Sequence, residues 1–487
     1  MISYVSLNYY VLLVLLIVIY YILPIKYRWY VLLTGSACFY YLAIERRMQL
    51  VIFAISIVVS YFFGIIIQRL SECESKPLTR RLALILGIIL SAFPLLGSKC
   101  TDFILGCVIH QQSVSWIIPL GLSFYSLQII AYLIDIAKGR IECQRSLFKY
   151  ALFISFFPQI IQGPIPRYKQ LEEQLIQGHR YDSTRFMKGI QLIIWGFFLK
   201  FMIANKASVI VDTVFNNDGT YRGWYVIVAG ILYSFQLYTD FYACITLSQG
   251  TSQLFGISLV DNFNHPYFSV SIKDFWRRWH ISLSSWLRDY IYIPLGGSRK
   301  GQFHRYVNLV ITFAVSGIWH GATWKYLFWG LMHAGYQIAG DLTNDIQKRL
   351  YSFFHMPWES KSCIVTRRFI TFCFVMPAWI IFRADSLKSG IGMILSMFTL
   401  HNTWILFDNS LFRLGLDQKE WEVLCLSLLI LFIVSVLQEK GIIIRDWFSR
   451  QCLLVRWGVY LCVICSIWVF GTYGYGFDAN DFIYGGF

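Results

Sequence analysis

Two histidines stand in apolar sequence, where a titratable side chain is unusual. His320 lies in Ser316-Gly-Ile-Trp-His320-Gly-Ala-Thr-Trp324, and His333 follows in Trp329-Gly-Leu-Met-His333-Ala-Gly335. Ionisable groups at membrane depth are costly and default to functional roles. An imidazole with an unperturbed pKa of about 6.5 can take a proton from a hydroxyl near neutral pH. Gly317 and Gly321 flank His320 and let backbone or substrate come close. The structural alternative is a histidine satisfied by a neighbouring helix. The two histidines are 13 residues apart. That is about 20 Å along one helix, so they cannot share a metal as an i, i+4 pair would. His280 can approach His320 only through tertiary folding, and no metal site is expected.

A basic segment precedes them. Residues 261–305 hold Lys273, Arg277, Arg278, Arg288, Arg299, Lys300 and Arg305 against Asp261, Asp274 and Asp289, with many Trp and Tyr. Trp276, His280, Leu283, Leu287 and Tyr290 recur at helical spacing, while Arg277, Ser284 and Arg288 fall on another face. The pattern predicts one amphipathic helix at a membrane interface, capped by Asp274 and ended by Pro294-Leu-Gly-Gly297. An interfacial anchor with snorkelling arginines explains such a composition. A surface for an anionic phosphorylated donor explains it equally, because guanidinium forks suit phosphate.

The elements that must position these groups are membrane helices. The chain has 487 residues, 57% apolar and only 14% charged, with a mean hydropathy of +0.55. Soluble domains average about 45–50% apolar and about 25% charged. Apolar runs long enough to approach a crossing cover 4–23, 29–45, 49–67, 82–98, 114–136, 147–163, 186–213, 224–243, 307–319, 324–341, 367–383, 422–438 and 456–471. About 20 apolar residues are needed per crossing, so about 11 true crossings are expected, with short runs such as 147–163 and 307–319 tilted or re-entrant. The first run has no basic leader and no small-residue cleavage site, and is read as a retained helix.

The net charge of +15 fits a positive-inside bias rather than nucleic-acid binding. Lys26 and Arg28, Arg69 to Arg81, and Lys138 to Lys149 mark inside loops, while 99–113 is assigned outside. That places the N-terminus outside, although Arg46 and Arg47 then fall on an outer loop. The 12 cysteines form no framework. Cys38, Cys107, Cys244, Cys373, Cys425, Cys462 and Cys465 lie in apolar segments, where thiols act as small hydrophobes. No phosphate loop, zinc-protease or nucleophile-elbow motif is present.

Taken in order, several motifs resemble the membrane-bound O-acyltransferases, in their bacterial alginate O-acetyltransferase branch. They are Pro119-Leu-Gly-Leu-Ser-Phe-Tyr125 with Tyr132 and Asp135, and Phe156-Phe-Pro-Gln-Ile-Ile-Gln-Gly-Pro-Ile-Pro-Arg167. Then come Phe275-Trp-Arg-Arg-Trp-His280 through Gly297, Gly317-Ile-Trp-His320-Gly-Ala-Thr-Trp324 with His333, Trp379-Ile-Ile-Phe-Arg383-Ala, and Phe482 to Phe487. The resemblance implies an all-α, polytopic transmembrane helical bundle around a central cavity, formed by one integral domain over 1–487. It implies His320 as the catalytic histidine and His280 as the second polar position. Trp276, Arg277, Arg288, Trp319, Trp324 and Asp240 would line the substrate or donor path, with 261–305 on the cytoplasmic side. The chain departs from the family at Tyr238-Thr-Asp240-Phe-Tyr-Ala-Cys244, which keeps one acid of a run that usually has two and lacks its Ser-Gly pair.

The activity so implied moves an acetyl or short acyl group from acetyl-CoA, or another acyl thioester, to an extracytoplasmic polysaccharide or cell-wall polymer. The donor is a substrate, and no bound cofactor is expected. The resemblance also implies a secreted or anchored SGNH-type transferase partner, and a place in the bacterial plasma membrane. Two alternatives stand beside this. One is D-alanyl transfer from an acidic carrier protein to teichoic acid, for which the basic face would serve equally. The other is a non-enzymatic transporter or scaffold.

Overall fold

The computed structural model describes residues 2–73, 76–104 and 116–473. Cys107, most of the loop 99–113 and the motif 482–487 lie outside the described residues. Among the described residues there is no β-strand. All thirteen apolar runs contain helix, but not all as single crossings. Among the described residues, five helices are long and apolar enough to cross a membrane: Arg47–Glu72, Ser183–Phe215, Lys361–Arg383, Gln418–Glu439 and Leu453–Phe470. Pro77–Ser91 and Phe93–Asp102 make a sixth only if taken as one broken span, bent by 70°. Pro94 lies at the break and cannot donate the next helical hydrogen bond. Other expected spans are short, such as Leu7–Ile22 and Leu122–Ala137 at 16 residues each. Trp224–Leu254 is long, at 31 residues, but Thr239, Asp240, Thr246, Ser248 and Gln249 make its interior polar.

The chain forms two compact units. The described part of the first comprises residues up to Gly196 and Cys244–Asp261; the second comprises Phe197–Ala243 and Asn262–Tyr473. Backbone polar groups at membrane depth must be satisfied inside the protein. In the first unit buried tyrosines do part of this work. Tyr4 Oη donates to the Phe157 carbonyl at 2.9 Å, Tyr20 Oη to Phe255 O at 3.1 Å, and Tyr150 Oη to Ser60 Oγ at 2.8 Å. The first of these bonds helps the non-helical stretch after Leu147–Ser155 stay buried. Gly121 has φ +73°, and a Cβ there would meet the Ile160 carbonyl at 2.1 Å.

The second unit carries the histidines. Its largest pairing sets Gln302–His320 against Trp324–Leu342. Both contact helices are opened by glycine. A Cβ on Gly317 would lie 2.3 Å from the Tyr326 carbonyl, and one on Gly330 would lie 2.2 Å from the Phe313 carbonyl. Only glycine permits this approach, as at small-residue interfaces between membrane helices generally. Lys361–Arg383 packs on the second helix of the pair, and Lys325 Nζ ties the two by donating to the Ala384 carbonyl at 2.7 Å.

Candidate active site

His320 is the last residue of its helix. Gly321 leaves the helix in extended conformation (φ −173°, ψ 140°), and only Ala322 and Thr323 separate it from the next one. A Cβ at Gly321 would meet the Tyr326 ring at 2.2 Å. The Trp-His-Gly-Ala-Thr-Trp sequence is thus a tight turn that returns the chain beneath its own histidine. His320 is 2% exposed. Its ring meets Trp319, Trp329 and Phe382 edge to face, with centroids 4.8, 5.2 and 5.3 Å away. Such a shell excludes water and fixes the imidazole, two properties a general base requires.

His280 lies at a break in the backbone. The single amphipathic helix expected from the spacing is instead Ile272–Arg278 and Ile281–Leu287, followed by a π-turn over Arg288–Tyr292. His280 joins them with φ 44° and ψ 55°, a left-handed conformation that costs a non-glycine residue about 1–3 kcal/mol. Asn262 holds the break. Its carbonyl accepts from Ile281 N at 3.0 Å, and its Oδ1 accepts from Ser282 N at 2.9 Å. One residue, 18 positions upstream, therefore caps the second helix. The same Oδ1 lies 3.3 Å from His280 Nδ1, so the cap also orients the imidazole. The expected cap by Asp274 is corrected as well. Ser271 is the cap, accepting from Asp274 N at 3.1 Å, while Asp274 sits in the first turn. His280 is 1% exposed, lies 4.8 Å from the Phe241 ring and 6.2 Å from that of Trp319. Trp319 therefore contacts both histidines.

The paired arginines diverge. Arg278 joins an ion-pair cluster, bonding Asp274 at 3.2 Å and Glu439 at 2.9 Å, with Arg368 on Glu439 at 3.4 Å. Arg277 stays exposed and, with Lys273, Trp276, Arg288, Arg305 and Tyr292, lines a cleft of about 540 Å³. Arg288 contacts its neighbour Asp289 at 2.9 Å but remains 63% exposed. Arg305 is paired with Asp341. The cleft is therefore cationic, and Trp276, Arg277 and Arg288 meet there as the sequence led one to expect. His280, His320, Trp319, Trp324 and Asp240 do not line it. Trp276 connects the two regions. It borders the cleft, lies 5.7 Å from Trp329, and donates through Nε1 to His333 Nδ1 at 3.2 Å.

Asp240 forms a 2.6 Å ion pair with Lys200, with side chains only 2% and 4% exposed. Lys200 lies in the π-turn Phe198–Ala204. Trp324 is 51% exposed and starts its helix. Asn262, Lys200, Trp329 and Phe382 were absent from the sequence-based site. Lys200 was legible as a lone lysine in Phe197-Phe-Leu-Lys-Phe201. Asn262 carried no comparable signal, since it acts through the fold. Among the described residues, no three His, Cys, Asp or Glu side chains cluster as a metal site.

Residues 144–383 match the model of the MBOAT, membrane-bound O-acyltransferase family. The chain is 34% identical over 402 residues to a probable alginate O-acetylase of Azotobacter vinelandii, covering 80% of this chain and 76% of that protein. It is 34% identical over 377 residues to a peptidoglycan O-acetyltransferase of Helicobacter pylori, covering 71% and 69%. Identity to a teichoic acid D-alanyltransferase of Bacillus subtilis is 31% over 259 residues, covering 51% and 65%.

Proposed function

This chain belongs to the membrane-bound O-acyltransferase family, and from that premise we propose that it moves an acetyl or short acyl group from a cytoplasmic thioester to a hydroxyl of an extracytoplasmic polysaccharide or cell-wall polymer. As a family member it is a multi-pass helical membrane acyltransferase, so the transporter or scaffold alternative gives way. The observation that carries the reading is His320, buried in an aromatic shell within the unit that also holds the cationic cleft. Phosphate groups of an acyl-CoA would meet Lys273, Arg277 and Arg288 in the cleft. The acceptor oxygen would attack the thioester carbonyl, forming a C–O bond as the C–S bond breaks. His320 would take the hydroxyl proton and return it to the leaving thiolate, contributing about 10²–10⁴-fold. His280, oriented by Asn262, would contribute polarity behind Trp319.

The acceptor class is inferred from the alginate and peptidoglycan relatives. An SGNH-type partner and a bacterial plasma-membrane location belong to the same proposal. The D-alanyl reading is favoured by the teichoic acid relatives, which match a shorter stretch of the chain. The test is His320→Ala in membrane vesicles supplied with labelled acetyl-CoA and polymer. We expect normal insertion and no transferred label. Full acylation by the variant would refute the role of His320. Transfer from a D-alanyl carrier protein, with acetyl-CoA untouched, would put the second reading first.

A further inference from the structure

We propose that His333 fixes the indole of Trp276 as the inner wall of the cationic cleft, and that this wall sets the longest acyl chain the enzyme accepts. The inference rests on reading the cleft as the donor side.

Trp276 faces two ways. It borders the cleft together with Phe313, and on its other sides it meets Phe275 at 5.8 Å, Trp329 at 5.7 Å and His333 at 5.0 Å. Trp329 in turn meets His320 at 5.2 Å. A donor whose acyl end travels from the cleft toward His320 along this line reaches the Trp276 ring first. An indole has a broad second side-chain torsion, which contacts with Phe275, Phe313 and Trp329 narrow without selecting one ring tilt. The hydrogen bond from Trp276 Nε1 to His333 Nδ1, at 3.2 Å, removes that freedom. Because Nδ1 accepts, the proton of the neutral imidazole resides on Nε2.

His333 is itself immobile. It is 0% exposed, lies parallel to Phe275 at 6.4 Å, and nearly parallel to Phe313 at 6.2 Å. Trp379 closes another side at 6.1 Å. Its helix is locked to the preceding one, Gln302–His320, by the contact of Gly330 with the Phe313 carbonyl. The histidine therefore acts through Trp276, as a positioning residue. A rigid wall in an apolar pocket discriminates against each added methylene by about 10–200-fold.

The test uses the full-length chain in phospholipid nanodiscs with a soluble oligosaccharide acceptor. Thiol release is measured from acetyl-, butyryl- and octanoyl-CoA, and the readout is the ratio of kcat/KM for butyryl to acetyl, whatever the absolute rate. Butyryl carries two more methylenes than acetyl, so the wild type should prefer acetyl by about 10²-fold or more. In His333→Leu the preference should shrink by about tenfold, and in Trp276→Ala further, with octanoyl-CoA then consumed. His333→Asn keeps an acceptor close to the Nδ1 position and should restore the preference. A general loss of structure would instead depress all three donors equally. That result, or an unchanged ratio in His333→Leu and Trp276→Ala, overturns the inference alone. A wild type that releases thiol from none of the three overturns the donor reading and this inference with it.

Discussion

Removing the amine of Lys200 should strand one of the most deeply buried charges in the second unit. Nζ lies 2.6 Å from Asp240 Oδ1, and the two side chains are 4% and 2% exposed. Neither charge can be rehydrated without opening the helices around it. Deleting one partner of such a pair costs about 3–5 kcal/mol, because the remaining charge stays buried without compensation. Replacing both by apolar groups of similar volume is often neutral. Lys200→Met should therefore destabilise by about 3–5 kcal/mol, and Asp240→Leu similarly. The double variant Lys200→Met with Asp240→Leu should be more stable than either single one. A double-mutant cycle on unfolding in detergent micelles measures the difference. Acylation assayed on the same four proteins separates frame from site. If Asp240 serves the frame, the double variant keeps measurable transfer. A single-variant cost below about 1 kcal/mol would show that no charge is stranded. A double variant that is stable but inactive would show that Asp240 works on substrate, as the family resemblance implied.

The close helix pair and the cleft yield two further tests. Gly317→Ala puts a Cβ 2.3 Å from the Tyr326 carbonyl, so two backbones must part. We expect a loss of about 1–3 kcal/mol and about 10²-fold in transfer rate, the usual consequence of misplacing a catalytic group by about 1 Å. Gly335→Ala, on the facing helix Trp324–Leu342 with nothing within 4 Å of its Cβ, should be within about 0.5 kcal/mol of the wild type; equal effects at the two positions would refute the close-packing argument. Arg277→Gln combined with Arg288→Gln should raise the KM for acyl-CoA about 10²-fold, two charge-assisted hydrogen bonds being worth at least about 3 kcal/mol together, with kcat nearly unchanged. Added salt should do the same to the wild type; a KM indifferent to both would exclude the cleft as the phosphate site.

Helix was legible because apolar composition sustained over a run is enough to specify it in lipid. The cationic cleft was legible for a related reason. Trp276, Arg277 and Arg288 come from one short stretch, and local sequence brings them together. What failed was continuity. The spacing of Trp276, His280, Leu283, Leu287 and Tyr290 is that of one helix, and no glycine or proline interrupts 272–287. The break at His280 depends on Asn262, whose carbonyl and side chain take the amides of Ile281 and Ser282. A cap supplied from 18 residues away leaves no trace in a local pattern. The partner of Lys200 is hidden likewise, being 40 residues along the chain.

The irregular backbone and the candidate site coincide. Lys200 lies in a π-turn, His280 has positive φ, Arg288 opens a second π-turn, and His320 ends its helix at an abrupt extended turn. A regular helix advances each side chain by a fixed rotation and can present neighbouring residues only in that sequence of directions. Trp276 and His280, four residues apart, would share one helical face and both reach the same surface. The left-handed residue between the two short helices releases them from that constraint. Trp276 then meets the cleft and His333, while His280 meets Phe241 and Trp319. The strain of about 1–3 kcal/mol at His280 is offset by the hydrogen bonds that the Ile281 and Ser282 amides donate to Asn262. Asn262→Ala should therefore release His280 and disturb the Trp319 side of the site while leaving the Trp276–His333 bond intact. Transfer should fall with the acyl-length preference unchanged. A variant that loses the preference along with the rate would show that the two short helices move as one body, and that the break does not separate their tasks.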